Sequence, residues 1–174
     1  MTAANYLLLA LGLLGATDIL LYHSISHGIR SHADSRVELF IHALRGPTYA
    51  LLFFFVPNFE MHGAYAVALA GLLAIDVGVS VADFAVEGES RRGLGGLPTG
   101  EYVLHMILAM VFGAFVACLA PELWNWSALP TGLARSGGPA WLSAVMGVMS
   151  AGVLISGIAD LVAALRIRAK LGHV

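Results

Sequence analysis

Five long apolar runs, with ionisable residues gathered near their ends, set the pattern of this chain. The first, Tyr6 to Tyr22, is long enough to cross roughly 30 Å of hydrocarbon. It predicts a helix over 4–27, with Gly28 at its C-terminus. No basic segment precedes it and no cleavage site follows, so a retained helix is expected rather than a signal peptide. A second helix is expected over 37–56, stopped by Pro57-Asn58. Pro47 lies inside it, as membrane helices tolerate. Ser35 suits its N-cap, with Glu38 three residues on as a capping box. The third helix is expected over 64–87, closed by Gly88. A Gly-rich stretch, 88–100, is non-helical in its pattern. The fourth helix is expected over 101–119, before Pro121 opens a longer loop. The fifth, over 140–165, is rich in Gly, Ala and Ser, which let helices approach closely in lipid.

Composition agrees with that pattern. Of 174 residues, 59% are hydrophobic and 11% are charged, where soluble domains carry about 25% charged residues. The expected fold class is an all-α integral membrane protein, one domain over 1–174, with five transmembrane helices. Arg30, Arg36, Arg45, Arg91, Arg92, Arg166, Arg168 and Lys170 fall on one side of such a topology, and Arg135 alone on the other. The positive-inside rule then puts the N-terminus outside and the C-terminus in the cytoplasm, most simply of a bacterial inner membrane. Trp124, Trp126 and Trp141 fit an aromatic belt at the opposite interface. The single cysteine, Cys118, excludes an internal disulfide and any paired-cysteine metal motif. It reads as a small apolar helix residue.

Four pairs carry the candidate chemistry: His23 and His27, Glu38 and His42, Asp83 and Glu87, Glu101 and His105. Each is spaced i, i+4, which puts both side chains on one helical face. All four fall at helix ends on the basic side. A shift of 60 residues superposes His23 on Asp83, His27 on Glu87 and Gly28 on Gly88; a shift of 63 superposes Glu38 on Glu101 and His42 on His105. Helices one and two therefore read as a diverged copy of helices three and four. Two such hairpins would form a four-helix bundle with the pairs converging, and helix five packed alongside.

Four carboxylates held together need counter-charge. Two divalent cations supply it, and mixed histidine and carboxylate sets on four helices are the ligand chemistry of di-iron and di-manganese bundles. Those bundles use Glu-x-x-His, whereas this chain has Glu-x-x-x-His twice. The stretch His23-Ser-Ile-Ser-His27 resembles one histidine box of the membrane fatty-acid desaturases and hydroxylases. The other boxes and the length of that family are absent, so membership is not assigned.

The expected function is a membrane dimetal enzyme, with iron as the first choice and manganese or zinc as alternatives. Its ligands are the eight residues of the four pairs. The expected reaction is an oxidation of a lipid-soluble substrate at the cytoplasmic face, with a redox partner or a homo-oligomer in attendance. A dizinc hydrolase is one alternative. A haem b electron-transfer subunit, with His42 and His105 as axial ligands, is a second. A non-catalytic structural subunit is a third. A transporter fits less well, because its ligands should sit near the midplane. Membrane lipids are the expected surroundings, and no nucleic-acid or nucleotide motif is present.

Further polar residues supplement the set. Arg45 lies seven residues after Glu38 on the same face, placed to hold a ligand or an anionic substrate group, or to pair with Asp160 or Asp18. Asp76 is placed to orient a ligand, carry protons or bond a neighbouring helix. Asp83 and Glu87 have a simpler reading as solvated partners of Arg91 and Arg92. His32 reads as a solvated loop histidine; His62 and His173 lie away from the site.

Overall fold

The computed structural model describes residues 2–171, with side chains between 2 and 167. Five of its helical segments are long and apolar enough to cross a membrane. Helix α1 (Thr2–Asp18) runs straight into a π-helical stretch, Ile19–Ser26. The last i→i+5 bond, from the His27 N–H to the Tyr22 carbonyl (2.9 Å), is followed by Gly28 at φ +57°, a left-handed conformation open to glycine. A 3₁₀ turn, Ile29–Ser31, leads to α2 (Arg36–Asn58), a short strand β1 (Phe59–His62) and α3 (Ala64–Ser90). Then come a second 3₁₀ turn (Arg92–Leu94), α4 (Thr99–Ser127), strand β2 (Gly132–Arg135) and α5 (Ala140–Leu171).

Several boundaries differ from the sequence expectation. Ser35 makes no side-chain cap, and Glu38 turns inward instead of closing a capping box. Helix α3 passes through Gly88, since one helical glycine costs only about 1 kcal/mol, and ends at Ser90. Helix α4 passes through Pro121, so the expected loop begins eight residues later in the sequence, after Ser127. Trp126 is thereby helical and 5% exposed, with its carbonyl accepting from the Gly63 N–H at 2.8 Å. It is no part of an aromatic belt, whereas Trp124 and Trp141 remain exposed.

The sequence pattern does not predict the two strands. Phe59, Glu60, Met61 and His62 pair antiparallel with Arg135, Ala134, Leu133 and Gly132. This ladder ties the α2–α3 turn to the α4–α5 connection. Their alternation is too short for sequence to distinguish from a turn.

Packing follows the small residues. Helix α5 lies along α2, and a Cβ placed on Gly46 or on Gly157 would stand 3.0 Å from the other's Cα. Helix α1 packs on α4, α2 on α3, and α3 on α4, while α1 touches α2 little. In lipid such contacts rest on close van der Waals fit rather than on exclusion of water. A contiguous apolar core that includes Leu8, Leu52, Val56, Phe115, Leu119 and Met146 fills the half of the molecule that bears the strands. The other half is built around ionisable side chains.

Candidate metal centre

The four helix-end pairs meet in that other half, and all eight side chains lie within one network. The imidazole rings of His23 and His42, from the π stretch and α2, stack with centroids 4.6 Å apart and planes 6° apart. The Nε2 of His23 lies 3.3 Å from Asp18 Oδ2, 3.8 Å from Glu101 Oε1 and 4.0 Å from Glu38 Oε1. The Nε2 of His42 lies 3.3 Å from Asp83 Oδ1 and 3.8 Å from Glu38 Oε1. His105 spans two carboxylates, Nε2 to Asp18 Oδ2 at 3.1 Å and Nδ1 to Glu87 Oε1 at 2.8 Å. His27 Nε2 reaches Glu101 Oε2 at 3.1 Å.

Two tight groups stand out within the network. Asp18, His23, Glu101 and His105 offer ligand atoms all within 4.8 Å of one another, and so do His23, Glu38 and His42. They contain five of the eight expected ligands and add Asp18. His27, Asp83 and Glu87 each stand one contact further out, against Glu101, His42 and His105 respectively.

Asp18 owes its place to the π-helical stretch. Five residues along an α-helix put two side chains about 140° apart, so Asp18 and His23 would diverge. The wider i→i+5 ladder brings them to one side. The apolar pattern of the first helix carries no signal for that change of winding.

Arg91 is the other residue whose role the sequence conceals. It is 0% exposed, and the expectation of a solvated cluster with Asp83, Glu87 and Arg92 does not hold. Its Nη1 bonds Glu38 Oε2 at 2.6 Å, and its Nη2 bonds Glu101 Oε1 at 2.6 Å. Ser90 adds a short hydroxyl bond to Glu38. Burial opposes the charge on Arg91, but its bonds to Glu101 and Glu38 outweigh that and hold the guanidinium above the ordinary arginine range. The neighbouring Arg92 pairs only with exposed Glu89. Nothing in Glu-Ser-Arg-Arg tells the two arginines apart; only the continuation of α3 past Gly88 aims one of them inward.

The remaining candidates fall around this core. Arg45 bonds Asp83 Oδ2 at 2.9 Å and approaches Asp76 Oδ1 at 3.9 Å, so it is engaged by α3 rather than by Asp18 or Asp160. Asp76 accepts from Thr48 at 3.5 Å, a contact between α3 and α2. Asp160 lies apart, on α5, bonded by Arg30 at 2.6 Å, with Ser156 accepting from the same guanidinium at 2.9 Å. His32 is exposed, His62 pairs with Glu60, and His173 lies outside the described residues.

Charge within the buried network is unbalanced. Asp18, Glu38, Asp76, Asp83, Glu87 and Glu101, all buried, face the guanidiniums of Arg45 and Arg91. Six acids against two cations leave four negative charges while the histidines are neutral. His23 Nε2, Asp18 Oδ1 and Asp83 Oδ1 are buried without a hydrogen-bond partner. Such groups are costly unless an ion or a proton satisfies them. A cavity of about 760 Å³ opens from the network toward the middle of the helices.

Comparisons with protein-family models, with curated proteins and with solved structures give no match.

Proposed function

We propose that the chain is a membrane-embedded dimetal oxidoreductase, with iron as the metal, acting on a lipid-soluble substrate near the cytoplasmic face. The observation that carries this reading is the pair of adjoining ligand groups around His23. One ion would be held by Asp18, His23, Glu101 and His105. A second would be held by His42 and Glu38, with Asp83 beside them. A ring nitrogen has one lone pair, so His23 serves one ion, and Glu38 Oε1 is the carboxylate oxygen that reaches toward both groups. Two dications would offset the four excess negative charges.

The surrounding residues fit a supporting shell. Glu87 Oε1 lies 2.8 Å from Nδ1 of His105, whose Nε2 faces Asp18, the order of groups in a carboxylate–histidine–metal arrangement. Arg91 holds Glu38 and Glu101 in place and leaves one oxygen of Glu38 free of it. Arg45 does the same for Asp83. A bound metal pair would supply Lewis acidity and one-electron chemistry beside an apolar cavity.

The hairpin repeat belongs to this proposal. Exchanging the two hairpins would interconvert the α1–α4 and α2–α3 interfaces, which are the main contacts between them. It would also exchange Glu38 with Glu101, and Arg91 bonds both. A four-helix bundle of two related hairpins is the arrangement these contacts support, and the basic side places its N-terminus outside by the positive-inside rule.

Metal analysis and an optical spectrum of anaerobically purified protein test the reading together. Bound iron without a haem Soret band is expected. Zinc alone would favour hydrolysis, and a Soret band would favour electron transfer through haem. Protein free of transition metal would overturn the proposal and leave a structural ion-pair cluster.

A further inference from the structure

The cavity beside the cluster has one polar end. Asp18, His23, His42, Arg45, Asp83 and His105 line that end, and side chains such as Leu108, Phe112 and Phe53 line the remainder. Its inner limit is visible at Gly12, where a Cβ would meet Met149 Cε at 2.5 Å and Phe53 Cζ at 3.0 Å. One turn nearer the cluster, a Cβ on Gly15 would meet nothing within 4 Å, and the same holds at Gly152 on α5. From His23 to Gly12 is about 16 Å of helix. At about 760 Å³ the space falls within the range of roughly 300–1,000 Å³ typical of ligand pockets. Rim residues Leu20, Val148 and Ile155, from the π-helical stretch and α5, are exposed where lipid would surround the helices.

Charge narrows the occupant further. The lining guanidiniums are already matched, Arg45 with Asp83 and Arg30 with Asp160. With the two dications of the proposed centre bound, the excess negative charge of the polar end is offset. An anionic head would then add a buried charge, with no unpaired guanidinium among the described lining residues to meet it. A hydroxyl can donate to a buried carboxylate without adding charge.

We infer that the cavity binds a single-chain amphiphile with a neutral hydroxyl head, tail toward Gly12 and head at the His23–His42 end. This rests on reading the cluster as the reaction centre. It further assigns which part of the substrate reacts: the atoms at the head reach the cluster, and the middle of the tail does not.

A long-chain alcohol carrying a photoreactive diazirine at its tail end tests this in the metal-loaded full chain in lipid nanodiscs. Crosslinks are expected at Phe53 and Met149, suppressed by excess 1-dodecanol or 4-dodecylphenol and not by dodecanoate. The stronger of the two competitors tells an alkyl alcohol from a phenol or quinol. Gly15→Phe, filling open space, should cut this labelling about tenfold, equivalent to roughly 1.4 kcal/mol, with metal content unchanged. Gly152→Phe serves as the second variant if the first does not fold. Labelling spread over outward residues such as Leu13, insensitive to competitor, would overturn the inference, as would equal competition by dodecanoate. Cavity labelling in protein that holds no metal would instead sink the dimetal reading and leave the chain site standing.

Discussion

Arg91 of the α3 terminus and Glu101 of the α4 first turn share three hydrogen bonds from one guanidinium, Nη2 to Oε1 at 2.6 Å, Nε to the same oxygen at 3.2 Å and Nε to Oε2 at 3.5 Å. Nine residues, 92–100, lie between them, four of them glycine. The pair therefore fixes where α4 begins relative to α3. Through Glu38 it also fixes α2. Arg91→Ala should leave two buried carboxylates facing each other and destabilise the protein by about 3–5 kcal/mol. Arg91→Lys should recover only part, because one ammonium cannot match the fork. Thermal unfolding in a mild detergent measures both, with Arg92→Ala, at an exposed pair, expected to change stability by about 0.5 kcal/mol or less.

The two ligand groups can be emptied separately. His105→Ala removes a ligand from the group holding Asp18 and Glu101, and His42→Ala removes one from the group holding Glu38. Each should lower bound metal by about half, with metal affinity falling 10- to 100-fold or more at the affected group. Metal-to-protein ratios of the purified variants check this. Full occupancy in both variants would rule out these residues as ligands.

Metal retention should fall with acidification. A histidine ligand must be neutral and a carboxylate ligand ionised, so protons compete directly with the ion. The direction is fixed: binding weakens as pH falls, because more of the histidine and carboxylate ligands are then protonated. Dialysis at stepped pH followed by elemental analysis would show it. Retention that rose on acidification would contradict the assigned ligands.

Helix α5 depends on a contact that has no room for a side chain. Gly46→Leu or Gly157→Leu should force α2 and α5 apart and cost about 1–3 kcal/mol. Gly147→Ala, where a Cβ meets nothing within 4 Å, is the matched control and should be neutral or slightly stabilising. Melting temperatures of the three variants decide it.

The sequence made the five apolar helices legible because length and hydropathy alone specify them. The inward placement of His23, Glu38, His42, Glu101 and His105 was legible for a similar reason: the i, i+4 spacing survives small changes in helix boundary. Asp18 was legible only as a partner for Arg45 and not as a neighbour of His23, since its alignment with His23 depends on a local π winding that leaves no periodic trace. Arg91 was not, since its burial depends on α3 extending two residues past a glycine that reads as a stop. The β1–β2 ladder escaped because its four-residue strands become a sheet only through a partner at least 70 residues away.

That ladder has a mechanical consequence. It laces together two connections that belong to different halves of the chain, one after α2 and one after α4. With that end fastened by backbone bonds and by the apolar core, any parting of the helices pivots there. The longest lever arm then falls at the opposite extremity, where the imidazoles meet, so a small rocking of one hairpin is magnified at the acidic groups and barely felt at the fulcrum.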